Sequence, residues 1–288
     1  MLKTVSASQL KSHREFEKSH LKTVAVIPSY NNQLSILRVV RQALQYVEEV
    51  MVIDDGSTDL TAAMARIAGA QVISHPQNRG KGAAMKTAMA NIESDIIVFL
   101  DGDGQHDPED IPRLLIPILL GEADFVIGSR FLPGSRLFSH SWLRQNANAA
   151  ASLMISLIIS ILQPLACWLH RKSVPRNKSP AHSEYHRSFG YRLLNGRLKL
   201  ISDCTSGFTA MKKASWHQLH LVSNGFQIET EIIFEQAKKG FTIAETPISC
   251  RRSESISHLS IIQDGLSTLF ILTRKLIHYS DPVIQSKP

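Results

Sequence analysis

Through its first 130 residues the chain alternates short, β-branched apolar runs with longer stretches of helical periodicity. That alternation is the pattern of an α/β protein, a mostly parallel sheet whose strands are joined by crossover helices. Strands are expected at Thr23–Ile27, Val50–Ile53, Gln71–Ser74, Ile96–Leu100 and Phe125–Ile127. Helices are expected at Leu34–Val47, Leu60–Ala68, Gly82–Ile92 and Ile111–Leu120, with Asp59 or Ser57 as an N-cap. Right-handed connections then carry every strand's carboxyl end to one edge of the sheet, where ligands of such folds bind. The segments at that edge are Pro28-Ser29-Tyr30-Asn31, Asp54-Asp55-Gly56-Ser57, Asn78-Arg79-Gly80-Lys81-Gly82, Asp101-Gly102-Asp103-Gly104-Gln105 and Gly128-Ser129-Arg130. All five are expected to converge on one crevice.

A chain of 288 residues suits one large α/β unit with an appended subdomain, and its 43% hydrophobic content supplies a sizeable core. Cys167, Cys204 and Cys250 are far apart and lack CxxC spacing, so neither a zinc site nor a disulfide framework is indicated, and a reducing, cytosolic setting is expected. Met1 to Lys22 carries charge throughout and has no apolar core of a secretory signal.

After Arg130 the alternation stops. Residues 145–169 contain no charge, but Asn148, Ser152, Ser156 and Ser160 recur every four residues as a polar stripe, so an amphipathic or protein-packed helix is expected rather than a membrane span. Between Arg171 and Lys199 eight Lys or Arg face Glu184 alone, which accounts for the whole net charge of +7. That stretch reads equally as a solvated loop or as a patch facing anionic lipid or phosphate. Few aromatics are interleaved and no nucleic-acid module is recognisable, so nucleic acid is not expected as a partner.

Two carboxylates one residue apart on a loop after a buried strand repel unless a cation lies between them, so Asp101 and Asp103 invite Mg²⁺ or Mn²⁺. A calcium-binding EF-hand loop is excluded, because its sixth and twelfth positions here are His106 and Pro112. As an isolated pair these acids would more commonly cap the helix that begins near Pro108. Asp54-Asp55-Gly56-Ser57 makes a good turn and also offers carboxylates that accept from a nucleobase. Gly80-Lys81-Gly82 opens a helix whose free N–H groups and lysine suit phosphate, although its spacing is not that of a Walker loop.

Together Asp54-Asp55-Gly56-Ser57-Thr58-Asp59, Asn78-Arg79-Gly80-Lys81-Gly82 and Asp101-Gly102-Asp103-Gly104-Gln105-His106-Asp107-Pro108 resemble the family 2 glycosyltransferases of the GT-A fold. The resemblance is nearest to the dolichol-phosphate mannose synthase and polyprenyl-phosphate glucose synthase branch. It continues through Gly128-Ser129-Arg130, Asp203-Cys204-Thr205-Ser206-Gly207-Phe208 and Arg252…Ser257.

The resemblance implies that Pro28, Tyr30, Asn31, Asp54 and Asp55 hold the nucleoside, that Lys81 faces donor phosphate, and that Asp101, Asp103 and Gln105 ligate the metal. It implies that Arg130 and Arg144 address the donor diphosphate or an acceptor phosphate, and that Asp203 and Arg252 close the sugar pocket, with Glu229 and Glu231 nearby. Ser257 and His258 would complete the Arg252 motif. The family's acid after Tyr-Asn is replaced here by Asn32, and Ser255 and His258 stand where mannose synthases have Gly and Lys.

On this basis residues 1–22 form an extension, 23–130 the nucleotide-sugar-binding half and 131–260 an acceptor-side half that includes the basic insertion 170–199; residues 261–288 form a C-terminal amphipathic helix and tail. The implied reaction is inverting, metal-dependent transfer of a hexose from a GDP- or UDP-sugar to a polyprenyl phosphate, on an anionic membrane surface at the cytosolic face. A phosphate acceptor is already an anion and needs no strong general base, whereas a hydroxyl acceptor needs one, for which Asp203 or Glu231 are the candidates. The alternatives are such a hydroxyl acceptor and, in another class, a non-catalytic nucleotide-sugar or lipid-binding module.

Overall fold

The computed structural model describes residues 21–137, 152–153, 156, 192–193 and 201–251. The N-terminal extension, most of the charge-free segment 145–169 and of the basic insertion, and the segment after Arg251 lie outside them, as do Arg144, Arg252, Ser257 and His258. Strands β1 (Thr23–Ser29), β2 (Glu49–Asp54), β3 (Gln71–Ser74), β4 (Ile96–Phe99) and β5 (Phe125–Ser129) fall where the apolar runs predict, each within two residues. β6 (Arg136–Leu137), β7 (Arg192–Leu193), β8 (Thr209–Lys212), β9 (Ile243–Pro247) and β10 (Ser249–Cys250) complete the set. The eight-stranded sheet has the order β3-β2-β1-β4-β8-β5-β9-β7, and β6 pairs with β10 separately. β1, β2, β3 and β4 run parallel, as do β5 and β9, while β8 is antiparallel to both of its neighbours and β7 to β9. The mostly parallel α/β architecture is therefore present, and its sheet takes strands from both sides of Arg130.

Alternate residues of each central strand serve different cores. Val24 and Val26 of β1, Met51 and Ile53 of β2, and Ile97 and Phe99 of β4 pack with Met85 and Ile232 on one face. Ala25, Ile27, Val50, Val52 and Val98 pack with Ile36, Val40 and Leu114 on the other. Because helices cover both faces, β1 is buried at all seven positions, which is why it reads as a continuous apolar run. Those helices are α1 (Ile36–Ala43), α2 (Thr61–Ile67), α3 (Lys81–Met89), α4 (Ile111–Leu119), α5 (Lys213–Trp216) and α6 (Ile228–Lys238).

The first helix is shorter than its periodicity suggests. Its chain turns at Leu44–Tyr46, with Tyr46 N–H donating to Ala43 O at 2.9 Å, and Val47 reaches the core from that turn. The N-cap of α2 is Leu60 and not Asp59 or Ser57; Asp59, one residue earlier, still braces the helix start with its Oδ1 accepting from Thr61 N–H at 2.9 Å, whereas Ser57 Oγ accepts from Asn31 N–H.

Ser152, Leu153 and Ser156 of the charge-free segment are helical. Ser152 and Ser156 are 3% and 0% exposed, against 53% for Leu153, so these two serines of the stripe face protein; Asn148 and Ser160 lie outside the described residues. Among the described residues no helix is long and apolar enough to cross a membrane.

Candidate active site

Lys81 stands in the first turn of α3, where the loop before it arrives with Gly80 at φ +94°, a conformation that favours glycine. Its ammonium joins two elements, pairing with Asp101 after β4 and with Glu229 Oε1 of α6, the latter at 2.5 Å. Burial works against the lysine charge, but the two carboxylates outweigh it and raise the pKa. Asp101 is likewise held below the usual carboxylate range: burial opposes this, and Lys81 and then His106 and Arg130 overcome it. Glu229 goes the other way, pushed up to about 7 by burial, with Lys81 pulling it down and Asp101 pushing it up. Gly207 is needed beside this cluster, because a Cβ there would run into Asp101 Oδ2 and approach Lys81 Nζ to 2.6 Å.

Asp103 Oδ1 accepts from Gln105 N–H at 2.9 Å, and burial together with the Asp101 charge pushes its carboxyl up to about 6. Such a pair fits a divalent cation, which would relieve the repulsion that burial leaves on Asp103. Asp101, Asp103 and Gln105 offer hard oxygen donors of the kind Mg²⁺ and Mn²⁺ take. Among the described residues no three His, Cys, Asp or Glu side chains form a self-sufficient cage, so further ligands would come from the donor and water. Beside the loop, His106 Nδ1 is buried without a hydrogen-bond partner, 3.8 Å from Asp101 Oδ2. Burial lowers the His106 pKa to about 4, which keeps it neutral near pH 7.

The strand ends expected to hold the nucleoside are cross-braced. Asn31 adopts φ +54° and its Oδ1 accepts from Thr58 N–H at 2.9 Å, tying the end of β1 to the turn after β2. Pro28 lies within β1, opposite Ile53, and Tyr30 is half-buried beside it. Asn32 is buried, donating from Nδ2 to Ser29 Oγ at 2.9 Å.

The two acids after β2 differ. Asp54 Oδ1 accepts from Ser57 N–H at 3.1 Å, whereas Asp55 accepts from Arg79 N–H at 2.9 Å and Gly80 N–H at 2.7 Å, with His75 Nδ1 at 2.6 Å from the same carboxylate. His75 Nε2 in turn meets Thr87 Oγ1 of α3 at 2.9 Å. Asp55 is thus engaged mainly in shaping the loop that presents Lys81. His75 is absent from the sequence-derived candidates although it directly follows β3, at the same strand-end level as the residues chosen there.

On the far side, Arg130 grips Asp203 in a fork, with Nε to Oδ2 at 2.7 Å and Nη2 to Oδ1 at 2.8 Å, and Nη2 also reaches Thr205 Oγ1 at 3.0 Å. Burial disfavours the guanidinium charge, yet Asp203 raises its pKa on balance. Asp203 is 0% exposed and committed to that arginine, which leaves it poorly placed as a general base.

Glu231, expected in the catalytic set, is engaged instead with the backbone of a neighbouring loop. Both of its oxygens accept backbone N–H groups, from Val222 and Ser223 at 2.9 Å each, and it is 1% exposed. It holds the loop whose Asn224 O accepts from Ala83 N–H at 3.1 Å, and so supports α3 from behind. Glu229 is the acid of that helix that faces the crevice. Arg251, another residue not singled out, fixes the metal-motif loop: its Nη2 donates to Asp107 Oδ2 and its N–H to Gln105 O, both at 2.6 Å.

The model of Glycosyl transferase family 2 matches residues 24–219, a span that includes every strand end just described as far as Asp203. The chain belongs to glycosyltransferase family 2. This transferase is 30% identical over 245 residues to Glycosyltransferase AglJ of Haloferax volcanii, covering 83% of this chain and 66% of that one. It is 25% identical over 247 residues to polyprenol monophosphomannose synthase of Mycolicibacterium smegmatis, covering 81% of this chain and 78% of the synthase. A solved structure of glucosyl-3-phosphoglycerate synthase from Mycobacterium tuberculosis, in complex with Mn²⁺, UDP-glucose and phosphoglyceric acid, shares its fold. There the TM-score is 0.61 at 20% identity, over 96% of this chain and 85% of that one. The GT-A architecture of this family 2 enzyme is established by that likeness.

Proposed function

We propose that this family 2 glycosyltransferase moves a hexose, with inversion, from a GDP- or UDP-sugar to a polyprenyl phosphate, working peripherally at the cytosolic face of a membrane. The observation that carries the reading is the convergence of two half-buried cations, Lys81 and Arg130, with the Asp101 and Asp103 carboxylates in one crevice. Cations held in a shielded crevice by such carboxylates are suited to take phosphate oxygens as well.

Asp54, with the braced Asn31 and Tyr30, borders the place of the nucleoside, and Asp55 and His75 set the loop over the diphosphate. Asp101, Asp103 and Gln105 would hold Mg²⁺ or Mn²⁺, which supplies positive charge against the departing nucleoside diphosphate. Lys81 and Arg130 add to that charge from the protein. An acceptor that arrives as a phosphate anion suits a site whose Asp203 is spoken for by Arg130. The charge-free segment 145–169 and the basic stretch 170–199 would meet an anionic lipid surface on the acceptor side.

Incubation with labelled GDP- or UDP-sugars, Mn²⁺ and polyprenyl phosphate tests this, the expected product being an acid-labile glycolipid. A second reading, transfer to a hydroxyl, draws support from Glu229, a buried carboxyl raised to about 7 that could accept a proton. Glu229→Gln separates the two: a hydroxyl acceptor requires the acid, whereas a phosphate acceptor retains most turnover without it.

A further inference from the structure

The segment Ile201–Cys204, which carries Asp203, is neither helix nor strand. All four of its backbone N–H groups nevertheless donate to side chains. Ile201 N–H reaches Ser156 Oγ at 2.8 Å and Cys204 N–H reaches Ser152 Oγ at 3.1 Å, both from the charge-free helical segment. Ser202 and Asp203 N–H reach Glu245 Oε1 of β9, at 2.8 and 3.3 Å. Ser202 Oγ adds a bond to the same Glu245 oxygen at 2.8 Å and meets Ser129 Oγ of β5 at 2.6 Å. Backbone donors in an irregular segment need partners from elsewhere, and here two remote elements supply them as matched pairs.

What the bracket holds is the Asp203 fork on Arg130. Arg130 Nε and Nη2 are taken by Asp203 and Thr205, and no hydrogen bond is found for Nη1 among the described residues. A long, flexible arginine pinned on one side this way presents its remaining donors in a fixed direction, which spares the cost of ordering it when an anion arrives. Ser152, Ser156 and Glu245 are at most 3% exposed, so they act through the bracket and not by touching substrate.

We infer that Ser152, Ser156 and Glu245 are positioning residues for Arg130, and that through the two serines the charge-free segment is mechanically coupled to the phosphate-binding side of the site. The inference rests on the transferase reading above only in assigning Arg130 to phosphate.

The test uses the full chain with single substitutions Ser152→Ala, Ser156→Ala and Glu245→Ala, the conservative Ser152→Thr and Glu245→Gln, and each alanine change in an Arg130→Lys background. The Arg130 Nε–H resonance, assigned by its loss in Arg130→Lys, reports the fork directly and needs no substrate. In the alanine variants this resonance should shift and exchange faster, turnover should fall about tenfold, and the KM for nucleotide sugar should stay within about twofold of wild type. Ser152→Thr and Glu245→Gln keep an acceptor oxygen and should recover both signals. In Arg130→Lys the alanine changes should cost no more than about twofold, since coupled residues are non-additive. An unchanged Arg130 resonance in all three alanine variants overturns the inference, and so does an equal loss of turnover in both backgrounds. If the wild type transfers sugar to no phosphate acceptor, the phosphate-acceptor reading fails while the resonance still decides this one.

Discussion

Replacing Lys81 by Met keeps the aliphatic stem that packs in the first turn of α3 and removes the charge shared by Asp101 and Glu229. Breaking a buried ion pair by deleting one partner costs about 3–5 kcal/mol, because the other charge is left uncompensated. Here two carboxylates are stranded, but they are not equal. Glu229, pushed up to about 7 by burial, is already partly protonated near neutral pH and can discharge itself, whereas Asp101 cannot do so as readily. The loss should therefore fall near the lower end, about 3 kcal/mol, which for a chain of this size lowers Tm by roughly 6–12 °C. Glu229→Gln in the same chain removes one stranded acid and should restore about 1–2 kcal/mol, although alone it destabilises by leaving Lys81 with a single partner. Differential scanning calorimetry of the four proteins at one pH measures the cycle. Additive changes, or a Lys81→Met protein melting within 2 °C of wild type, about 1 kcal/mol or less, would show that the lysine is not the counter-ion on which these acids depend.

Other changes probe the rest of the site. Asp103→Asn should abolish transfer and Mn²⁺-dependent nucleotide binding, read by calorimetric titration, while Tm holds or rises. Its carboxyl is raised to about 6, so the folded state disfavours the charge, and stability contributed at this position declines as pH climbs from the ordinary carboxylate value through 6. Gly207→Ala should cost about 1–3 kcal/mol by overpacking and at least tenfold in turnover, because the added methyl prises Lys81 from Asp101; wild-type kinetics would refute that placement. Cys204 and Cys250, both buried and pushed up to about 12, should resist iodoacetamide at pH 8 in the native protein and react in urea, as peptide masses would show. Sedimentation with anionic vesicles at low salt and release at high salt would support the peripheral membrane reading, and salt-insensitive binding would remove its electrostatic part.

The parallel strands β1, β2, β4 and β5 were legible because they are buried on both faces and appear as apolar runs ending in their functional loops, whereas β9, as buried but interrupted by Glu245 and Thr246, was not expected. β8 was not, since Thr209–Lys212 is short, ends in lysine and gains its place only by pairing antiparallel with β4 and β5, one of which is more than a hundred residues away. The acids near the site show a finer limit. Residue type put Glu229 and Glu231 together, but two steps along a helix rotate a side chain by about 200°, so only one of them can face Lys81. What chooses Glu229 is the Val222–Ser223 backbone, whose N–H groups claim Glu231.

The same logic separates Asp54 from Asp55. Both lie at the strand end that the topology rule selects, but the N–H groups of Arg79 and Gly80 are satisfied by Asp55, and nothing in the composition of the turn announces that demand. The serine stripe of residues 145–169 carries the point furthest. Its four-residue period says that one helical face is polar, yet not whether water, lipid headgroups or protein receives it. The answer is written in a distant segment with too few partners of its own: Ile201 and Cys204 offer N–H groups spaced to meet Ser156 and Ser152. A polar stripe on an uncharged helix is thus decided by counting unsatisfied backbone donors elsewhere in the fold, and here that count turns Ser152 and Ser156 inward and leaves Leu153 exposed.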